Sequence, residues 1–202
     1  LSNEVRQGFI QNFKDTQLYL AYGPTEAAIS VTHWNCREEG YKDKTPIGRP
    51  ISNTQIYILD EYMNPVPIGV SGEIYIGGAG LARGYLNRPD LTSEKFVPNP
   101  FIKEEETPSS ASSISLRLYR TGDLARYLAD GNIEFIGRID DQVKIRGFRV
   151  ELGEIEASIL KLPQIKQCSV QYFKEPGILV SYIISDNFNE REIRAHLEAI
   201  LP

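Results

Sequence analysis

Cysteine is almost missing from this chain. Of 202 residues only Cys36 and Cys168 are cysteine, far apart and with no cluster of Cys or His around either. That scarcity excludes a disulfide scaffold, argues against a zinc site and points to a reducing, cytoplasmic compartment. Histidine is as scarce, at His33 and His196. His33 has Trp34 and Cys36 nearby, but one imidazole and one thiol do not make a metal centre. His196 falls in an amphipathic helical pattern and reads as a surface residue. No apolar run approaches the ~18 residues of a membrane span, and no secretory leader is visible. Positive charge is not in excess: 22 Lys and Arg stand against 27 Asp and Glu, a formal charge of −5. A mildly acidic chain carries no electrostatic footprint for nucleic acid or an anionic membrane, so neither is expected as a partner. A phosphate loop ending in Gly-Lys-Ser/Thr is lacking too. Gly77-Gly78-Ala79-Gly80 has the glycines without that ending and reads as tight β-connections.

What is present is an ordinary globular composition, 41 % hydrophobic and 24 % charged, long enough for one large domain or two small ones. The chain opens without Met at Leu1-Ser2-Asn3 and stops at Leu201-Pro202 directly after a helical pattern, so both ends are expected to be cuts through a longer protein. Val5, Phe9, Ile10 and Phe13 have helical spacing. Residues 16–22 read as a buried strand running into Gly23-Pro24-Thr25-Glu26, and α/β folds place ligand groups at such carboxyl ends of strands. A plain turn with Thr25 as a helix N-cap explains the same tetrapeptide. From Pro46 to Gly137 the period becomes two, with strands at 55–60, 73–77 and 116–137. Thr92 is a candidate helix cap, with Glu94 and Lys95 in its first turn. The acidic, Ser-rich stretch 104–115 reads as a surface loop.

Residues 119–154 organise the rest. A polar turn carries Asp123, and a hairpin reverses at Ala129-Asp130-Gly131-Asn132, where Asp-Gly supplies positive-φ positions. A polar joint follows at 138–142, then an extended basic segment from Lys144 to Arg149, then helical spacing from Leu152. This is the layout of a domain boundary that can act as a hinge. By charge alone, the basic run is a solvated strand face. Beyond it, a helix at 152–162, strands at 165–172 and 178–184 and a helix begun by an Asn189–Glu192 capping pattern make a small α+β unit. At about 60 residues its core is marginal alone, which suits a lid docked on a larger body.

Four motifs occur in one order: Tyr22-Gly-Pro-Thr-Glu26; Gly80-Leu-Ala-Arg-Gly-Tyr85 with Arg88-Pro-Asp-Leu-Thr92; Tyr119-Arg-Thr-Gly-Asp123; and Val143-Lys-Ile-Arg-Gly-Phe-Arg-Val-Glu-Leu-Gly-Glu-Ile-Glu156. Each alone is weak to moderate. Together they closely resemble the adenylation domains of nonribosomal peptide synthetases, within the adenylate-forming superfamily that includes acyl-CoA synthetases and luciferases. The resemblance covers nearly all of the chain. It implies a fragment of that fold: the α/β and β-barrel end of the large adenylation subdomain over residues 1–139, and an incomplete, mobile α+β C-terminal subdomain over 140–202.

The implied activity is ATP- and Mg²⁺-dependent activation of an amino-acid carboxylate, with pyrophosphate released. The acyl group then passes to the phosphopantetheine thiol of a peptidyl carrier protein, among neighbouring synthetase domains. The reaction at phosphorus is an in-line displacement, so positioning and charge stabilisation dominate. By resemblance, Tyr22 stacks on adenine beside Gly23, Thr25 contacts the α-phosphate and Glu26 binds Mg²⁺. Asp123 accepts both ribose hydroxyls, as an acceptor-only carboxylate suits a diol. Phe135 flanks adenine, Arg138 holds phosphate or ribose oxygens, Asp140 is the hinge and Lys144 serves thioester formation. Ala21, Ile29 and Ser30 fall where the family lines its amino-acid pocket; none is charged, which leans against a salt-bridged side chain without naming the substrate.

The chain departs from the family at two of these positions. Leu20 stands where Asn is frequent, and Phe135 where Tyr is usual. No Thr/Ser/Gly-rich phosphate loop ending in Lys is present, and the family's adenylation lysine is expected beyond Pro202. The isolated 202 residues are therefore expected to be inactive. Two other readings stay open: an acyl- or aryl-acid ligase using coenzyme A, and a non-catalytic docking fragment.

Overall fold

In a computed structural model of the chain, which describes residues 1–38, 40–41, 45–102, 116–140, 142–145 and 148–200, Ser2 caps the first helix. Its hydroxyl accepts from the Val5 amide at 3.4 Å, opening α1 (Asn3–Asn12). The apolar spacing that signals this helix is not what anchors it. Val5 and Phe13 are exposed, whereas Arg6 is only 4 % exposed. The Arg6 guanidinium lies 5.0 Å over the Trp34 ring and donates to the carbonyls of Cys36 (2.5 Å), Tyr41 (3.1 Å) and Glu38. A planar cation with five donors is satisfied by carbonyls and an aromatic face without a carboxylate.

The chain divides into two compact units, Leu1–Ile139 and Asp140–Pro202. In the first, β1 (Tyr19–Tyr22), β2 (Thr32–Asn35) and β3 (Arg49–Pro50) form an antiparallel sheet in that order. The expected buried strand is a short one: β1 lies at the edge among the described residues, and its positions alternate between exposed and half-buried. Cys36, just past β2, is buried as a free thiol, and burial pushes its pKa up.

A second antiparallel sheet contains β4 (Thr54–Leu59), β5 (Gly72–Gly78), β6 (Phe96–Pro98), β7 (Arg117–Tyr127) and β8 (Ile133–Arg138). Its centre is the 11-residue β7: β5 pairs along one edge, while β6 and β8 share the other edge end to end. The period of two explains the core. Ile56, Ile58, Ile74, Ile76, Tyr119, Ala125 and Ile133 share one cluster with Val31, Ile47 and Leu81, whereas Leu59, Tyr75 and Leu118 pack separately. Burying each isoleucine contributes about 1.5–3 kcal/mol. The two sheets are joined where the Ile47 amide donates to the Ile133 carbonyl at 2.8 Å. Gly48 beside this junction has φ +86°, and a Cβ there would lie 1.9 Å from the His33 carbonyl oxygen.

Two local expectations need correction. Thr92 is not a cap, since α2 (Pro89–Lys95) begins with Pro at its first turn after Arg88, leaving Glu94 and Lys95 at its end. The Thr92 hydroxyl instead donates to the Arg88 carbonyl at 2.8 Å and accepts from the Tyr85 amide at 2.9 Å. In the β7–β8 turn only Gly131 takes positive φ, at +83°. Its amide donates to the Leu128 carbonyl and the Leu128 amide to Asn132, so one left-handed residue suffices. The expected loop at 104–115 lies outside the described residues.

In the second unit, the expected single basic segment is a pair of short strands, β9 (Val143–Ile145) and β10 (Phe148–Val150), antiparallel with Lys144 opposite Arg149. Then come α3 (Leu152–Ile159), the antiparallel β11 (Ile165–Phe173) and β12 (Ile178–Ser185), and α4 (Glu190–Ile200). Leu152, Ile159, Leu162, Ile165, Val170 and Ile193 form its core. The Asn189 side-chain oxygen accepts from the Glu192 amide at 3.4 Å, as the capping pattern predicts. His196 is not a bystander on the surface: its Nε2 lies 3.0 Å from the carbonyl of buried Ser158, tying α4 to α3. Among the described residues, no helix is long and apolar enough to cross a membrane.

Candidate functional site

The carboxylate of Asp123 is the meeting point of three strands. Asp123 on β7 sits directly opposite Arg138 on β8, and Arg138 Nη1 donates to Asp123 Oδ1 at 2.6 Å. Arg138 Nη2 donates to the Thr121 carbonyl at 3.1 Å, so the guanidinium is held at two points. From the end of β1, the Tyr22 hydroxyl donates to Asp123 Oδ2 at 2.5 Å. Burial, then the neighbouring Asp123 charge, push the Tyr22 phenol well above its ordinary value, so at neutral pH it is a donor. The Phe135 ring lies 6.4 Å from that of Tyr22 at 42°. Asp123 is 7 % exposed and Phe135 36 %: a largely shielded carboxylate stands beside a half-open aromatic face.

Asp123 owes its direction to a break in the ladder. Tyr75 pairs with Arg120 and Glu73 with Leu124, so Ile74 alone on β5 faces Thr121, Gly122 and Asp123 on β7. Gly122 takes φ +74°. The Thr121 hydroxyl, buried, donates to the Ile74 carbonyl at 2.8 Å and accepts from the Asp123 amide at 2.9 Å. Glu73 Oε1 accepts from the Gly122 amide at 2.9 Å.

After Tyr22 the chain makes a tight loop. A Cβ on Gly23 would lie 2.7 Å from the Ile29 carbonyl oxygen, so only glycine allows the loop to fold back. Thr25–Ala27 form one 3₁₀ turn. Ala28 and Ile29 then take φ +59° and +73°, and the Ser30 amide donates to the Ala28 carbonyl at 2.8 Å. That is a γ-turn of the rare positive-φ hand, centred on a β-branched residue. The Val31 amide donating to the Tyr22 carbonyl at 2.8 Å closes the loop. Thr25 is exposed, as are Ala21 and Ile29, the last by 74 %; Ser30 is half-buried. Glu26 is buried, and its Oε1 accepts from the Tyr85 hydroxyl at 2.7 Å, which is itself 3.4 Å from the Tyr119 hydroxyl. Burial first, then Tyr119 and Glu26, push the Tyr85 pKa up, so it too is a donor.

Of the residues singled out from sequence, the first unit thus brings together Tyr22, Asp123, Phe135 and Arg138, with Gly23, Thr25 and Glu26 on the loop that follows Tyr22. Asp140 and Lys144 belong to the second unit, where Asp140 Oδ1 accepts from the Gln142 amide at 3.3 Å and Lys144 lies on β9. Sequence reasoning missed three supporting residues. Thr121 and Tyr85 sit inside quoted motifs, and their motif membership was the available signal. Glu73, at the start of a strand, gave none.

Among the described residues no group of three or more His, Cys, Asp or Glu is placed to hold a metal. A single carboxylate nevertheless fits Mg²⁺, which keeps several waters and binds one or two carboxylates together with substrate phosphates. A carboxylate offers about four acceptor sites, so the Tyr85 bond to Glu26 is compatible with that role.

Comparison with known proteins places these features in a family. The model for AMP-binding enzyme matches residues 1–86. One of the mycosubtilin synthase subunits of Bacillus subtilis is 48 % identical over 200 residues, 97 % of this chain and 7 % of that protein. Residues 1–86 carry the AMP-binding enzyme match, and nearly all of the chain is related to this synthase subunit. Another relative, gramicidin S synthase 2 of Brevibacillus brevis, is 47 % identical over 188 residues, 90 % of this chain and 4 % of that protein. The solved structure of PA1221, described as a nonribosomal peptide synthetase protein containing adenylation and carrier (PCP) domains, aligns with a TM-score of 0.72 at 30 % identity, covering 95 % of this chain and 37 % of that one. The crystal structure of IdnL1 aligns with a TM-score of 0.79 at 28 % identity, covering 98 % and 39 %. The fold is thus that of part of an adenylation domain, and the chain spans a small share of the length of its curated relatives.

Proposed function

We propose that this chain is the portion of an amino-acid-activating synthetase that grips the nucleotide and leads into the mobile domain. The parent protein would form an aminoacyl adenylate from ATP and an amino acid, and load it onto the phosphopantetheine thiol of a carrier domain. The observation that carries this reading is the Asp123 carboxylate, shielded from water, oriented by Tyr22 and Arg138, and set beside the Phe135 ring. An acceptor-only group held in this way suits a ribose diol, with the aromatic faces of Tyr22 and Phe135 for adenine. Arg138 would meet nucleotide oxygens, and Thr25, exposed on its turn, would meet the α-phosphate. Glu26 would hold Mg²⁺, whose charge offsets that of the phosphates. Ala21, Ile29 and Ser30 would line part of the amino-acid pocket.

In the same reading, Asp140 is the hinge and Lys144 serves the second half-reaction, each acting from the 140–202 unit as a mobile subdomain. The kinship with two peptide synthases and an adenylation–carrier protein supports a carrier thiol as acceptor. The test is amino-acid-dependent exchange of pyrophosphate into ATP by the full-length protein. Asp123→Ala is expected to lower kcat/KM for ATP by about a hundredfold, the scale of a lost charge-assisted contact. Unchanged exchange would sink the assignment. The 202 residues alone are expected to form no adenylate, and a measurable adenylate from them would refute the fragment reading.

A further inference from the structure

Glu73 lies outside the nucleotide site, yet it makes one of the two side-chain links described above between the β7 bulge and β5. Its side chain is only 8 % exposed, on the last in-register strand position before the break in β7. A bulge of this kind leaves backbone donors without ladder partners. Here side chains substitute for the ladder: the Thr121 hydroxyl takes the Asp123 amide, and Glu73 Oε1 takes the Gly122 amide at 2.9 Å. Glu73 is itself aimed by Arg120, whose Nε donates to Oε2 at 3.0 Å and Oε1 at 3.2 Å. The Arg120 side chain is 45 % exposed, so solvent screens that ion pair and it adds little stability. The bond that matters is the one to Gly122, the positive-φ residue immediately before Asp123.

The geometry points to Glu73 as a positioning residue for nucleotide binding, acting through Gly122 to set the direction of the Asp123 carboxylate. This rests on the proposal that Asp123 holds the nucleotide. Two carboxylates would then share one bulge in different roles: Asp123, paired with Arg138, faces the ligand, and Glu73, paired with Arg120, holds the turn that presents it. No atom is transferred by Glu73, so its signature is selectivity for one substrate rather than loss of chemistry.

The test uses Glu73→Ala and Glu73→Gln in the full-length protein, each alone and combined with Asp123→Ala. Exchange kinetics give KM for each substrate, and calorimetry gives Kd for ATP. Glu73→Ala is expected to raise KM and Kd for ATP about tenfold, the size of one lost buried hydrogen bond to a charged group, with KM for the amino acid unchanged. Glu73→Gln keeps an acceptor oxygen and should stay within about threefold of wild type. In the Asp123→Ala background the effect of Glu73→Ala should shrink below about twofold, because a residue acting through another has nothing left to act on. An equal rise in both KM values overturns the inference. So does the same fold-change with and without Asp123, or a lower Tm with no change in ATP affinity. If Glu73→Ala does not fold, Glu73→Asp keeps the charge but draws the acceptor back by one methylene; it should also raise KM for ATP selectively, and an unaltered value overturns the inference. An Asp123→Ala protein with normal ATP affinity would refute the underlying reading and this inference with it, whereas normal loss at Asp123 with no ATP-selective effect at Glu73 refutes the inference alone.

Discussion

Thr121→Val isolates the hydroxyl that holds the β7 bulge. Valine has nearly the shape of threonine, and Thr121 is buried, so the substitution removes hydrogen bonds while leaving little cavity. The Asp123 amide loses the acceptor it meets at 2.9 Å, and the Ile74 carbonyl loses a donor at 2.8 Å. Each buried polar group left without its partner costs about 1–3 kcal/mol. The added methyl returns part of this as apolar burial, leaving a net loss of about 2–4 kcal/mol. The only tryptophan in the chain, Trp34, is 2 % exposed in the same unit, so its fluorescence in a guanidinium titration reports the unfolding of that unit. Thr121→Ser, which keeps the hydroxyl and loses a methyl, should cost only about 1 kcal/mol. Thr121→Val within about 0.5 kcal/mol of wild type, or equal losses in the two variants, would refute the view that side chains replace the ladder at this bulge.

Tyr22→Phe should lower stability at neutral pH by about 1.5–3 kcal/mol through loss of the hydrogen bond to the Asp123 carboxylate. The folded-state pKa of Tyr22 is raised above its ordinary 10.0, so its stabilisation is full below about pH 10 and falls as rising pH ionises the unfolded phenol first. Denaturation midpoints measured upward from that pH should decline less steeply in the Phe variant than in wild type, and an equal decline would exclude Tyr22 as a source. Ile159→Ala removes a fully buried side chain from the core of the second unit and should cost about 2–5 kcal/mol. Amide exchange in α3 and β11 reads this directly, and unaltered protection there would contradict that core.

The period-two strands around the Asn-Pro and Gly-rich turns were legible because one face of each meets a core, and side-chain alternation is a local property. What escaped the sequence depends on partners distant along the chain. Residues 16–22 look apolar enough to be buried, but β1 lies at a sheet edge among the described residues and its side chains alternate between exposed and half-buried. The helix of Val5 and Phe13 is fastened by Arg6, because three carbonyls and a tryptophan come to meet it. Lys144 to Arg149 reads as one extended basic run, and the pairing of β9 with β10 is decided by backbone register. In the candidate site, Tyr22 and Asp123 were reachable through motifs, and Arg138 through the family resemblance that those motifs carry. Glu73 was not, since a carboxylate at the start of a strand is ordinary until the opposite strand proves to carry two residues more than it should.

The γ-turn at Ile29 sets a limit on how this loop can vary. Its path is fixed by backbone: by the missing side chain at Gly23, by the Ser30–Ala28 bond and by the Val31–Tyr22 bond that closes the loop. None of these uses the side chain of Ile29 or Ser30. A different residue at either position therefore changes the chemistry presented to solvent while the main chain stays where it is, and at 29 almost any unbranched residue, above all glycine or asparagine, would relieve strain. Side-chain identity and loop shape are uncoupled here: the frame is rigid and the panel set into it can be exchanged.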